Sequence, residues 1–272
     1  MTPPPPSAYI EHMLRAVAQI RVAATAEAVA GPGACPHAVP HPLMDQDWLG
    51  LSFLHWRYPP ETVQRLLPQG MRVDTFDGDA WVALVPFLLR VRVPNGPALP
   101  WLGVFPETNV RTYVRGPDGK QGIWFFSLEA PRRLAIWAAR AWFHLPYRVA
   151  AMEMRCSDSE RTYTSWRLES PHRGVSSRAR IIPGEYLAPE AVTPLEHFLT
   201  ARWRLYALLR NGIGTARVEH PPWRIARATA HDVDTHLLTA AGLPHPEAAP
   251  LAHACGDVRA SLTRLTRCPR TA

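Results

Sequence analysis

Lysine is almost missing from this chain of 272 residues: Lys120 stands alone beside 29 arginines. Any chemistry that needs a buried amine therefore has one candidate side chain. Cysteine is scarce too. Cys35, Cys156, Cys255 and Cys268 include no close pair and no CxxC, which excludes a zinc ribbon or a thioredoxin-type site by spacing. Free thiols in a reducing compartment are expected. The twelve histidines contain no HExxH, and His37 and His41 fall in a Pro-rich stretch, so neither a metal nor a cofactor is expected. No run of eighteen apolar residues exists, which predicts no membrane span. The first residues, MTPPPPSAYIEHMLRAVAQIRV, carry Glu11, His12 and Arg15 where a signal peptide needs an apolar stretch, so a cytoplasmic protein is expected. The formal charge is +7, yet the arginines are scattered, without a dense basic run or an aromatic-basic RNA signature. No nucleic-acid partner is expected.

What the chain does have is apolar mass: 47% hydrophobic residues and ten tryptophans, enough for a sizeable core. Its 29 prolines against 16 glycines predict fixed turns and short elements. Residues 8–30 read as one amphipathic helix, with Ile10, Met13, Leu14, Val17, Ile20 and Val22 near helical spacing. A Pro/Gly linker, 31–42, follows. Beyond it the pattern turns to strands. A strand is predicted over 48–58 and a short helix over 59–68. Hairpins are predicted across Asp77-Gly78 (71–87) and across 116–119 (109–130). A helix over 132–143 leads into a third hairpin, 147–155 with 162–169, and then a strand over 175–184. The clearest helix spans 193–209, with Thr193 as cap, Pro194 at N1 and Glu196 at N3. Residues 217–228 read as extended, 233–241 as a short helix and 257–265 as a last strand. The expected class is α+β, mainly antiparallel, with the sheet curled into a barrel-like core, a few inserted helices and an extra N-terminal helix.

Candidate chemistry starts at Glu107. Alternate residues of a strand share a face, so Glu107, Asn109, Arg111 and Tyr113 point one way. Two readings compete: a solvated sheet face, or the wall of an internal cavity. The partner strand IWFFSLEA is apolar on both faces except at Ser127 and Glu129, which favours the cavity. A second candidate stretch is FHLPYRVA, 143–150, where Tyr147 and Arg148 follow Pro146 at a helix-to-strand junction. Here a capped turn competes with a functional phenol and guanidinium. His55 and His144 are further candidates, although a single histidine among aromatics also serves as a satisfied core residue. Glu196 and His197 are explained by capping.

The order of elements resembles the DUF2071 (YqjF-like) family of the acetoacetate decarboxylase-like superfamily. The matching pieces are LSFLHWRY, LLPQGMRVDTFDGDAWVALVPF, FPETNVRTYVRGPDGKQGIWFFSLEA, LPYRVAAM, PLEHFLTARWRLY and EHPPWRIARA. They imply one domain over 45–267, preceded by residues 1–44 and followed by a tail, 268–272. The resemblance further implies a closed, cone-like barrel around a buried pocket. In the decarboxylases a loop similar to LPYRVA carries Pro-Lys-Lys, whose first lysine forms a Schiff base, and a glutamate in a strand similar to FPETNV assists it. The glutamate carries over onto Glu107. The lysines do not: Tyr147 and Arg148 follow Pro146. A guanidinium stays protonated and a phenol is no amine, so neither supplies the nucleophile. Lys120 lies in the polar turn GPDGKQG, which offers no desolvation.

The expectation is a small-molecule binder whose pocket lacks the Schiff-base lysine, with a carboxylate as one ligand class. Tyr147 and Glu107 form the reactive pair. Arg148, Asn109, Arg111, Ser127, Glu129, His144 and His55 are the ligand-binding candidates. The alternative is an enzyme acting on a small oxo or hydroxy acid by Tyr/Glu acid–base chemistry. A homo-oligomer stays open as a partner state.

Overall fold

The computed structural model describes residues 33–99, 103–157, 159–170 and 172–269. The helix expected over 8–30 lies outside the described residues. Strand β1 (Met44–Leu49) is followed by β2 (Ser52–Tyr58), helix α1 (Pro60–Gln64) and the two-residue strands β3 (Arg72–Val73) and β4 (Thr75–Phe76). The long strands β5 (Asp79–Arg92), β6 (Val104–Arg115) and β7 (Gln121–Ala130) come next. Helix α2 (Arg133–Phe143) leads to β8 (Tyr147–Cys156), β9 (Arg161–Arg167) and β10 (Ser176–Tyr186). After a single 3-10 turn, Pro189–Ala191, come α3 (Pro194–Thr200), β11 (Arg204–Leu209), β12 (Gly212–Glu219) and β13 (Ile225–Asp234). The chain closes with α4 (His236–Ala240), β14 (Leu251–Cys255), β15 (Val258–Leu262) and β16 (Thr266–Arg267).

The strands form one sheet that closes on itself twice. β1 pairs with both β15 and β5, and β7 pairs with β6, β8 and β11. One ring thus runs β1-β15-β12-β11-β7-β6-β5, and the other runs β7-β8-β9-β10-β13-β14-β2-β5-β6. Strands β5, β6 and β7 belong to both rings. Only β7–β8 and β7–β11 are parallel among these pairings, and α2 supplies the crossover that a parallel β7–β8 pair requires.

Two hydrophobic cores lie on either side of the shared strands. Phe53 of β2, Ala83, Val85 and Phe87 of β5, Tyr113 of β6 and Tyr147 of β8 belong to one core. Leu54, Val82, Leu84 and Val110 belong to the other. Alternation along β2, β5 and β6 therefore feeds both cores, and the middles of these strands are buried on both faces.

The sequence reading merged elements that the structure separates. Residues 48–58 are two strands broken at Gly50, whose φ is +55°. A Cβ there would lie 2.8 Å from Met154 Cε and 3.1 Å from Cys156 Sγ, so the corner needs glycine on both counts. The helix predicted over 193–209 stops at Thr200. Its start is as expected, a capping box between Thr193 and Glu196 with Pro194 in the first turn. Beyond it, Leu205 and Ala207 face one core and Tyr206 another, which is period two rather than helical spacing. Pairing of β11 with β12 and β7 overrides the helical propensity of RWRLYALL. The extended run 217–228 is interrupted between β12 and β13, and β14 had no counterpart in the sequence reading.

Candidate functional site

The site grows from β6. Glu107, Asn109, Arg111 and Tyr113 share the face that carries Phe105 into the larger core. On β5 their partners are Phe87 for Glu107, Val85 for Asn109 and Ala83 for Arg111. On β7, Leu128 stands beside Asn109 and Phe125 beside Arg111. The polar row is therefore an internal wall and not a solvated sheet face. Glu107 and Asn109 are buried, at 4% and 5% exposure. Arg111 is half-buried, with its guanidinium Nε and Nη2 out of solvent.

Tyr147 reaches this wall from the helix-to-strand junction. Helix α2 ends with His144 in the left-handed region, φ 50°, and Pro146 fixes the next step. Tyr147 N–H donates to Leu145 O at 2.8 Å, and Arg140 Nε donates back to Tyr147 O at 3.0 Å. β8 then pairs parallel with β7, Tyr147 beside Leu128, which turns the phenol onto the interior face. Its Oη donates to Glu107 Oε2 at 2.9 Å. Burial pushes the Glu107 carboxyl up to about 7, against the hydrogen bonds from Tyr147 and Asn109. Burial, then the neighbouring Glu107, holds the Tyr147 phenol well above its usual range. Tyr147 is thus a neutral donor, and Glu107 is a carboxyl poised to gain or lose a proton near neutrality.

Arg111 is the cation of the row. Its guanidinium lies 4.9 Å from the Phe53 ring centroid and 5.8 Å from that of Tyr113. Nε and Nη2 meet no hydrogen-bond partner, and no carboxylate among the described residues is in ion-pair contact with it. Asn109 Oδ1, two residues away, is also buried and unpartnered. His55 joins the same face through Ala83, its partner on β5. Tyr113 Oη donates its one proton to Leu199 O at 2.7 Å, so the 2.7 Å contact with His55 Nε2 requires the imidazole to donate. Burial, then His253 and Arg111, lowers the His55 pKa well below the usual value, so the ring is neutral.

Four candidates are placed elsewhere. Between Val110 and Arg111 the β6–β7 register shifts, with Phe126 as the extra residue on β7. The bulge reverses parity: Ile123 and Phe125 face the larger core before it, Leu128 and Ala130 after it. Ser127 and Glu129, assigned to ligand binding from sequence, are thereby turned to the opposite face, beside Val110 and Thr108. Glu129 is instead locked into a buried pair with Arg167, Nε to Oε2 at 3.1 Å and Nη2 to Oε1 at 2.5 Å. Arg148 stands beside Glu129 and so also leaves the Glu107 side. His144 is exposed at the α2 terminus. Lys120 is exposed at the β6–β7 turn. Glu107 lies eight strand residues from Arg115, at the far end of β6 from that turn, roughly 25 Å along the strand.

The sequence reading passed over a set of rings near Arg111. Trp48 and Trp223 stack at 5.9 Å with 15° between planes, and His220 lies 4.9 Å from Trp223. The segments WLGLSF and EHPPW were the available signals, but they are more than 150 positions apart and meet only through ring closure. Among the described residues no cluster of three or more His, Cys, Asp or Glu side chains is arranged to hold a metal.

A sheet rolled into closed rings with few helices is an acetoacetate decarboxylase-like fold. The fold is similar to that of the enduracididine biosynthesis enzyme MppR, with a TM-score of 0.60, 13% identity, and coverage of 88% of this chain and 98% of that one. It is also similar to an acetoacetate decarboxylase-like enzyme from Sphingomonas wittichii RW1, with a TM-score of 0.58, 12% identity, and coverage of 87% of this chain and all 100% of that one. Within that class, the chain belongs to the DUF2071 family, described as an uncharacterized conserved protein, which matches residues 45–259. The uncharacterized protein YqjF of Bacillus subtilis (strain 168) is 35% identical over 212 residues, covering 78% of this chain and 86% of that protein. No helix among the described residues is long and apolar enough to cross a membrane.

Proposed function

We propose that the interior wall of β6 binds a small carboxylate, and does so without a Schiff base. The observation that carries this reading is Arg111: a cation on an interior face whose guanidinium Nε and Nη2 are buried and unpartnered, with no carboxylate paired to it among the described residues. A buried donor left without an acceptor is costly, and a ligand carboxylate accepts two such hydrogen bonds at once. Tyr147 occupies the place that the resemblance gives to the reactive lysine, and a phenol donates a hydrogen bond where an amine would form a bond.

Pyruvate is the first probe, because the structural neighbour MppR has been described in complex with it. Calorimetric titration is expected to show binding that Arg111→Met weakens by about 1.5–3 kcal/mol, the value of hydrogen bonds to a charged group. Borohydride added to the mixture leaves the intact mass unchanged. Equal binding by parent and variant removes Arg111 from the site, and a reduced adduct on Lys120 overturns the exclusion of the Schiff base.

A second reading is favoured by the Glu107–Tyr147 pair. A carboxyl held near pH 7 beside a neutral phenol suits proton transfer next to a carbonyl. Incorporation of deuterium from heavy water into the methyl group of pyruvate, faster with the parent than with Glu107→Gln, is its expected result. Equal rates leave the protein a binder.

A further inference from the structure

The carboxylate site has an aromatic flank. Phe53 is the bridge: its ring centroid is 4.9 Å from the Arg111 guanidinium and 5.7 Å, edge-on, from the Trp223 ring. Trp223 stacks on Trp48, and Trp48 meets Phe87 edge-on at 6.4 Å. Phe87 is the β5 partner of Glu107. The rings thus run beside the polar row from its Arg111 end to its Glu107 end. His220 adds a further ring, 5.6 Å from Trp48 and 4.9 Å from Trp223.

This flank has two properties that suit an apolar ring. Trp48 and Trp223 keep part of their surface exposed, as Arg111 does, while Phe53 between them is 1% exposed. The flank is also uncharged. His220 Nδ1 lies 2.6 Å from Pro221 O, a carbonyl that only accepts, so the ring donates there. Burial, with Arg111 as a lesser cause, holds its pKa down to about 4 against the hydrogen bond to Pro221. A neutral set of ring faces next to one cation matches a molecule with an anionic end and an apolar planar end. Pyruvate would fill the first half and leave the second in water.

The geometry points to an arylalkyl carboxylic acid as the ligand class, its carboxylate on Arg111 and its ring against Trp223 and Trp48. This rests on the carboxylate reading of Arg111 above.

Phenylpyruvate and pyruvate are titrated side by side, followed by calorimetry and by tryptophan fluorescence. Phenylpyruvate is expected to bind about tenfold tighter, the order that one added ring-stacking contact supplies. Trp223→Leu should remove that gain and leave pyruvate affinity unchanged, while Trp223→Phe, which keeps a ring, should retain most of it. Arg111→Met should weaken both acids. Near-ultraviolet circular dichroism of each variant checks that the fold is intact, and Trp48→Leu replaces Trp223→Leu if the latter fails to fold. Equal affinity for the two acids, or equal weakening of both by Trp223→Leu, overturns the aryl assignment and leaves the carboxylate site standing. Absence of binding by either acid removes both.

Discussion

Replacing Glu129 by Leu, or Arg167 by Met, is expected to lower the free energy of unfolding by about 3–5 kcal/mol, the effect of leaving one member of a buried ion pair without its partner. The side chains are 0% and 3% exposed, and two hydrogen bonds in fork geometry join them. Neither charge has water to fall back on. The double variant Glu129→Leu with Arg167→Met removes both charges and should recover most of the loss, because desolvation of the pair offsets much of its attraction. Urea unfolding of the four proteins checks this. Single variants within 1 kcal/mol of the parent would show that the pair is hydrated. The result also bears on the sequence reading, which gave Glu129 to a ligand.

Stability should fall between pH 4.5 and pH 7 by about 3 kcal/mol more in the parent than in Glu107→Gln. The unfolded carboxyl loses its proton near its ordinary value of 4.5, whereas the folded one holds it up to about 7. Across that window the folded state binds more protons than the unfolded state. Raising the pH therefore favours unfolding, and the stabilisation present below 4.5 is lost by about 7. The buried histidines act in the opposite sense. His55 and His220 resist protonation when folded, so they cost stability as the pH drops through the ordinary imidazole range. Subtracting the Glu107→Gln curve from the parent curve cancels their shared contribution. A flat difference would mean that Glu107 titrates like an exposed glutamate.

Local signals in the sequence located most elements. Asp77-Gly78 and the 116–119 turn marked hairpins that the structure forms, and Thr193-Pro194-x-Glu196 marked the α3 start. Pairing between distant strands was not legible, and that is where the reading failed. Residues 204–209 carry helix-forming side chains and become a strand only because β7 and β12 lie on either side. One bulge residue, Phe126, decides which face Ser127 and Glu129 take, and alternation alone cannot foresee a change of parity. The 2.9 Å contact of Tyr147 with Glu107 joins positions forty apart, and only the family resemblance brought them together on the page. The Trp48–Trp223 stack had no such guide.

Strand β6 is a party wall between two cores, and this limits how the chain can vary. Its Glu107, Asn109 and Arg111 face the larger core; Val110 and Thr112 face the other way, where Thr112 Oγ1 also donates to Trp81 O at 2.8 Å. A side chain enlarged at Val110 has no solvent to yield into, so the backbone must bow toward Arg111. Residues on the far side of β6 thereby set how closely Glu107, Asn109 and Arg111 meet the strands opposite, and a change behind the wall can reshape their surroundings while leaving the polar row itself unchanged.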